Sequence, residues 1–280
     1  MKILLFGESG SGKDTIADML VDAFSDNGFP VQKLAFADPM KRLAKNIVGF
    51  SDLQLWGPSG ERNRPDPRLD PDTVRAMVTT FLASDGLDRA MVSLGLAPGG
   101  WERGTFRVWL QDLGAATAGL HGQRLTPRYM LQTLGTEVGR AIDKDLWVKN
   151  GVRAADTLLG GGYAYTAEAG FVPDPKAVPP VVTILTDGRF RNEALAGRRE
   201  GMELVRVRDA GAPSLVGATH ASETEQRAIP DFWFDTVIRN QKSGLRQLRD
   251  QVRSLYLNLT MSFGTIGAVA ALRALPVREE

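Results

Sequence analysis

The densest chemistry in the chain lies at residues 7–15, GESGSGKDT. Gly7-Glu8-Ser9-Gly10-Ser11-Gly12-Lys13 matches the GxxxxGK pattern of a phosphate-binding loop. At this spacing successive backbone N–H groups can curl around a phosphate, and a helix starting behind them adds partial positive charge. Gly10, Ser11 and Gly12 would cradle donor phosphates, and Lys13 would reach the β- and γ-phosphates. The next position departs from the pattern. Where Ser or Thr commonly ligates magnesium the chain has Asp14, followed by Thr15. Asp14 could ligate the ion directly or through water. Thr15 could do so only with a shifted helix start, and Ser11 offers a third oxygen. The sequence does not choose among them.

A second cluster is TDGRFRNEA at 186–194. Asp187 ends an apolar run and could hold magnesium or its water shell; its alternative is a helix N-cap carboxylate. Arg189 and Arg191 follow at once, then Asn192 and Glu193. An acid and two bases at the C-terminal edge of a strand place charge where α/β proteins bind ligands.

These groups need elements to hold them. Residues 2–6 (KILLF) read as a strand. Ile16, Met19, Leu20, Ala23 and Phe24 recur at helical spacing, and Gly28 stops that helix. A second strand is expected over 31–37, and Asp38-Pro39 opens a helix. Strand, glycine loop, helix, strand and helix in this order start a parallel α/β sheet. The turn-rich stretch 50–70 is a long excursion. Helical patterns follow over 71–84 and 105–118. Thr126-Pro127 starts a helix carrying Met130, Leu131, Leu134, Val138 and Ile142. A further helix spans about 145–159 and stops at the glycines 160–162. The proline-rich 163–180 reads as a loop or flap. Residues 181–186 (VVTILT) are the most strand-like run. A helix from about Asn192, a strand at 203–207, a strand near 234–239 and a helix from Leu245 complete the series. The resulting organisation is one core over 1–255, with a helical insertion at about 50–125, a flap at about 160–180, and a C-terminal helical extension over 256–280.

Composition narrows the function classes. Lys+Arg is 34 against 33 Asp+Glu, a net charge of +1, which argues against a strongly electrostatic nucleic-acid binder. Cysteine is absent, so disulfides, thiol nucleophiles and Cys-ligated metal centres are out. The only histidines are His121 and His220, too few for a His-rich metal site. The N-terminal apolar run is too short for a signal segment, and a cytoplasmic protein is expected. The uncharged stretch 255–272 reads as a buried helix or an oligomer contact, possible in a homodimer, rather than a membrane span. An NKxD base-reading element is missing, against the translational GTPases. Small size and well-spaced arginines favour a small-molecule phosphoryl transferase, which needs alignment and charge neutralisation more than covalent chemistry.

Four segments, in order, resemble the phage-type deoxynucleoside monophosphate kinase family: GESGSGKDT at 7–15, FADPMK at 36–41, RYMLQTLGTEVGR at 128–140 with Asp145 and Trp147, and TDGRFRNEA at 186–194. HASE at 220–223 and FDTVIRN at 234–240 are weaker echoes. Gly188 and Arg191 depart from the family, which often has a hydrophobic residue and a proline there, and the 50–125 region carries no recognisable resemblance. The resemblance implies a nucleoside monophosphate kinase-like fold with inserted helical and lid regions. It implies ATP and Mg²⁺, and transfer of the γ-phosphoryl to a deoxynucleoside 5′-monophosphate, in the host cytoplasm if the chain is phage-encoded. Rival readings are a kinase resembling dephospho-CoA kinase and a non-catalytic P-loop protein.

On that reading Lys13, Arg128, Arg189 and Arg191 neutralise transferring phosphates, and Asp38 and Lys41 face the acceptor. Arg128 and Gln132, four apart on one helical face, could clamp the acceptor phosphate and read a base edge; the alternative is a solvated face. Glu137 and Arg140 form an ion pair or position substrate. Trp147 stacks on the acceptor base or belongs to the core. His220 with Ser222 and Glu223 marks a lid or a surface loop, and His121 a loop. Arg246, Arg249 and Arg253 share a helix face that reads as solvated, so no stable nucleic-acid partner is expected.

Overall fold

The computed structural model describes residues 1–8, 10–97, 103–104, 107–108, 110–111, 126–209, 221–242 and 244–262. The expected helix at 105–118, His121, His220 and most of the C-terminal extension lie largely or wholly outside them. The chain divides into two compact units. The first comprises Met1–Ala35, Gly151–Ala164 and Val172–Glu280, and the second Phe36–Asn150 and Tyr165–Phe171.

The first unit is built on a five-stranded sheet. Its strands are β1 (Lys2–Gly7), β2 (Val31–Leu34), β5 (Val182–Gly188), β6 (Glu203–Asp209) and β7 (Thr236–Asn240), in the order β2-β5-β1-β6-β7. Every neighbouring pair is parallel. β1 is therefore central, and Ile3, Leu4, Leu5 and Phe6 are all fully buried. Helices must cover both faces of such a sheet. Ile3 and Leu5 look toward Ile16, Leu20 and Phe24 of α1 (Lys13–Asp26) and Val252 and Leu255 of the last helix, Leu245–Ser262. On the other face Gly197 of the helix Arg191–Arg199 lies so close to Leu4 and Leu204 that a Cβ would sit 2.8 Å from the Leu204 side chain. The sheet and its flanking helices have the nucleoside monophosphate kinase-like architecture expected.

Two strand expectations are corrected. The second strand stops at Leu34 rather than continuing to residue 37. β2 is an edge strand paired only with β5, and the register of β5 against β1 shifts just beyond Leu185, ending the straight stretch on which β2 can lie. The proline-rich segment after Gly160 contains a two-stranded sheet, β3 (Tyr163–Thr166) with β4 (Gly170–Pro173), and the tip Tyr165–Phe171 belongs to the second unit. Pro173 closes that strand instead of interrupting it.

Thr183 on β5 is fully buried and its hydroxyl has no hydrogen-bond partner. Burying an unpaired hydroxyl costs about 1–3 kcal/mol. Thr183→Val keeps the shape and removes that cost, so it should raise unfolding free energy by about 1 kcal/mol. A urea midpoint at or below the parent value would contradict this.

The second unit is helical around α2 (Asp38–Val48), with α3 (Asp52–Trp56), α4 (Ser59–Asn63), α5 (Pro71–Ala83), α6 (Gly86–Ser93) and α7 (Pro127–Gln132). Phe50, Leu55, Leu69, Val74, Leu87, Met91 and Met130 form its buried centre. The turn-rich stretch 50–70 is ordered by Asp66, which is 3% exposed. Its carboxylate accepts from the Arg68 guanidinium at 2.6 Å and from Gln54 at 2.8 Å. Hydrogen bonding from Arg68 holds this carboxyl well below the usual carboxylate range despite burial.

After α7 the helix does not run straight. Thr133–Gly139 forms a π-helical segment before a last α turn, Arg140–Ile142. The Gly135 carbonyl accepts from the Trp147 indole at 2.7 Å. A Cβ on Gly135 would meet the Met40 sulfur at 2.7 Å, and one on Gly139 the Trp147 ring at 2.3 Å. Wide π turns of this kind cluster at functional sites. α8 (Leu146–Gly160) then leads to the hairpin. Among the described residues no helix is long and apolar enough to cross a membrane.

Candidate active site

The loop between β1 and α1 lies at the C-terminal edge of the central strand, where ligands of open α/β sheets bind. Gly12 has a left-handed φ of 96°, and a Cβ there would lie 2.5 Å from the Asn240 amide nitrogen. No other residue type meets both conditions without strain. Asn240, at the end of β7, donates to the Ser11 carbonyl at 2.9 Å. Glu8 begins the loop, and its carboxylate is held bidentately by Arg227 at 2.9 and 2.8 Å. Nothing in the sequence singles out Glu8 or Arg227, and Asn240 stands there only at the end of a weak echo.

Lys13 is 7% exposed, and its ammonium donates to the Glu8 carbonyl at 2.7 Å. Burial pushes its pKa down to about 8, and Arg189 adds to the depression, while Asp14, Asp187 and Glu8 oppose it. Lys13, Arg189, Asp14 and Asp187 therefore share one electrostatic neighbourhood. Asp14 and Thr15 are exposed on the first turn of α1. Asp187 is half-buried where β5 shifts register between the partners of Leu4 and Phe6. A bulge at that point re-aims side chains out of strict alternation. Gly188 has its own reason: a Cβ there would meet the Phe6 ring at 2.9 Å.

The turn after Gly188 is fixed by Glu193. Its carboxylate accepts from the Arg189 and Phe190 backbone N–H groups at 2.6 and 2.9 Å. Glu193 is 5% exposed, so it holds the turn that presents the arginines. Arg189 is exposed. The Arg191 guanidinium lies 4.8 Å from the centre of the Trp233 ring, a cation–π contact. Asn192 is half-buried beside it on α9 (Arg191–Arg199).

These groups fit a nucleotide phosphate. They combine a buried ammonium, the N-terminus of a long helix and the Ser11 hydroxyl, which is buried with no hydrogen-bond partner. Asp14 and Asp187 are oxygen donors of the kind magnesium takes. Among the described residues no cluster of three or more acidic or histidine side chains is shaped for a metal ion. Magnesium at phosphates needs none, since one or two carboxylates and the phosphate oxygens suffice.

The remaining sequence candidates lie in the second unit. Asp38 is 3% exposed; it accepts from the Trp56 indole and from the Tyr165 hydroxyl, each at 3.0 Å. Burial and the Asp38 charge push the Tyr165 phenol well up, so it stays a donor. Lys41 lies 3.9 Å from the Asp38 carboxylate and 5.6 Å from the centre of the Trp56 ring. Arg128 is half-buried and its Nε donates to the Asn63 side chain. Trp56 and Asn63 come from the turn-rich excursion after residue 50, so that stretch supplies partners to two candidates. Gln132 and Glu137 are exposed, and Arg140 donates to the Lys144 carbonyl at 3.4 Å. Trp147 is only 8% exposed with its indole N–H engaged, so its ring serves the core of the second unit.

No family model matches the chain. It is 28% identical over 242 residues to a protein of Acanthamoeba polyphaga mimivirus named as a deoxynucleotide monophosphate kinase, covering 85% of this chain and 88% of that one. It is 27% identical over 262 residues to the deoxynucleoside-5′-monophosphate kinase of Escherichia phage T5, covering 89% and 92%. The chain thus has a P-loop kinase-like fold and remote similarity, over most of its length, to viral nucleotide kinases.

Proposed function

We propose that this protein transfers the γ-phosphoryl group of ATP to a deoxynucleoside 5′-monophosphate, giving the diphosphate and ADP. The observation that carries the reading is the buried Lys13 ammonium sharing its surroundings with Arg189, Asp14 and Asp187 at a phosphate-binding loop. Similarity to the two viral kinases named above supports the acceptor class.

In this reaction an oxygen of the acceptor phosphate bonds to the γ-phosphorus. The bond from that phosphorus to the β–γ bridging oxygen breaks, and ADP leaves with the electron pair. A phosphate monoester is already ionised near neutral pH, so no dedicated general base is needed. Backbone N–H groups of Gly10, Ser11 and Gly12 would hold donor phosphates, with Lys13 and Arg189 neutralising charge on the moving group. Asp14 and Asp187 would hold Mg²⁺, which would supply charge neutralisation at the donor phosphates. Asp38, Lys41, Arg128 and Gln132 would bind the acceptor, with Arg191, Asn192 and Arg140 supporting charge and position.

An acceptor panel tests this. Deoxynucleoside monophosphates with common and modified bases, ribonucleoside monophosphates and dephospho-CoA are each incubated with ATP and Mg²⁺, and ADP release is followed. At least one deoxynucleoside monophosphate should turn over faster than dephospho-CoA. ATP binding with no acceptor turned over would overturn the assignment, and preference for dephospho-CoA would replace it.

A further inference from the structure

The helix α10 (Ala221–Ala228) touches the phosphate-facing loops through three consecutive side chains. Glu225 accepts from the Arg191 backbone N–H at 2.9 Å. Gln226, 2% exposed, donates to the Gly188 carbonyl at 3.3 Å. Arg227 holds the Glu8 carboxylate through two bonds. Consecutive helical side chains diverge by about 100°. Three in a row can find partners only if the end of α10 is wedged between the β1–α1 loop and the β5–α9 turn. The wedge is fixed to the sheet as well. Arg206 of β6, 4% exposed, donates to the Gln226 and Ile229 carbonyls, and its guanidinium lies 5.0 Å from the centre of the Phe234 ring.

We propose that Arg227 is a positioning residue for the phosphate-binding loop, acting through Glu8, and that α10 couples this loop to the turn carrying Arg189 and Arg191. Glu8 has two jobs that one residue can link. Its side chain is pinned by Arg227, and its backbone carbonyl receives the Lys13 ammonium. Fixing the first fixes the second. Asn240 steadies the other end of the loop at the Ser11 carbonyl, so the loop is held from α10 on one side and from β7 on the other. The inference rests on reading the loop as the donor site, and it assigns Arg227 no contact with substrate.

The test uses the full chain in four forms: parent, Arg227→Glu, Glu8→Arg, and the double exchange Glu8→Arg/Arg227→Glu. Amide hydrogen exchange over residues 7–15 is measured without nucleotide, and KM for ATP and kcat are measured with the best acceptor. Each single variant should lose protection in the loop. Each should raise KM roughly tenfold while kcat falls less than about threefold. The double exchange should recover both protection and KM. Unchanged loop protection in the single variants would overturn the proposal. So would a kcat loss of about a hundredfold in Arg227→Glu that the double exchange leaves in place, since that marks a direct phosphate contact. Loop exchange reads the clasp without turnover, so a protein that phosphorylated no monophosphate would fail the proposed function and still answer this question.

Discussion

Replacing Lys13 with methionine should lower phosphoryl transfer by a factor on the order of 10²–10³ or more, with the fold intact. The size follows from where the charge sits. Lys13 is buried, and its ammonium is held at the mouth of the loop by the Glu8 carbonyl. Charge in a site shielded from water stabilises a developing phosphoryl anion far more than an exposed lysine could. Methionine keeps much of the stem length and removes the charge. Stability moves the other way. The folded pKa, about 8, lies below the ordinary lysine value of 10.5. The cost of carrying the buried charge is therefore fully present below about pH 8, and it fades as pH rises toward the unfolded value. At pH 7 the methionine variant should be no less stable than the parent. ADP release with the best acceptor, alongside a urea melt, checks both halves. Turnover near the parent rate in a folded Lys13→Met protein would sink the donor-site reading.

The parts of this site that could be read from the sequence are those made by neighbours in the chain. GESGSGKDT is a continuous run whose glycines and lysine act together, and the strand before it and helix after it are strongly periodic. Asp187 and Arg189 were legible because an acid and a base follow an apolar run directly. What was hidden depends on pairing over long separations. Arg227 meets Glu8 across 219 residues, and Asn240 meets Ser11 across 229. An arginine in a polar helix looks the same whether it is solvated or bonded to a loop. Glu193 stood out for its charge, yet its carboxylate is used on backbone N–H groups three and four residues before it. Trp147 could stack or pack, and only the Gly135 carbonyl and the absence of a side chain on Gly139 decide for packing. The π segment was invisible for a related reason. Its apolar spacing still reads as helix, while the indole that takes the Gly135 carbonyl lies twelve residues on. In the excursion after residue 50, turn residues announced a loop, but the buried Asp66 that organises it is one acid among many in the sequence.

Arg189→Met should produce the second large effect, and it separates catalysis from ion binding. On the proposed reading Arg189 neutralises charge on the transferring group, and its loss should reduce kcat on the order of 10²–10³. The same change acts on Lys13. After burial, Arg189 is the main cause of its lowered pKa. Bound phosphate favours the protonated lysine, so ATP affinity in the parent should fall as pH rises through about 8, where free Lys13 loses its proton. Above that point the loss can reach about tenfold per pH unit, the limit for one linked proton. Removing Arg189 takes away a repelling charge and raises the Lys13 pKa. The fall in affinity should then begin at higher pH, though short of the ordinary lysine value, because burial remains. The last ionisation of the ATP terminal phosphate is complete by about pH 8, so it adds no slope above the break. Arg191→Met is the control. Its guanidinium is stacked on Trp233, and Arg189 outranks it among the charges acting on Lys13, so its affinity profile should break much closer to 8. ATP dissociation constants measured from pH 7 to 10 on the three proteins decide the matter. A break that stays in place in Arg189→Met would remove Arg189 from the neighbourhood of Lys13. A shifted break with undiminished kcat would keep it there as a tuner of the lysine and deny it a role at the transferring phosphoryl group.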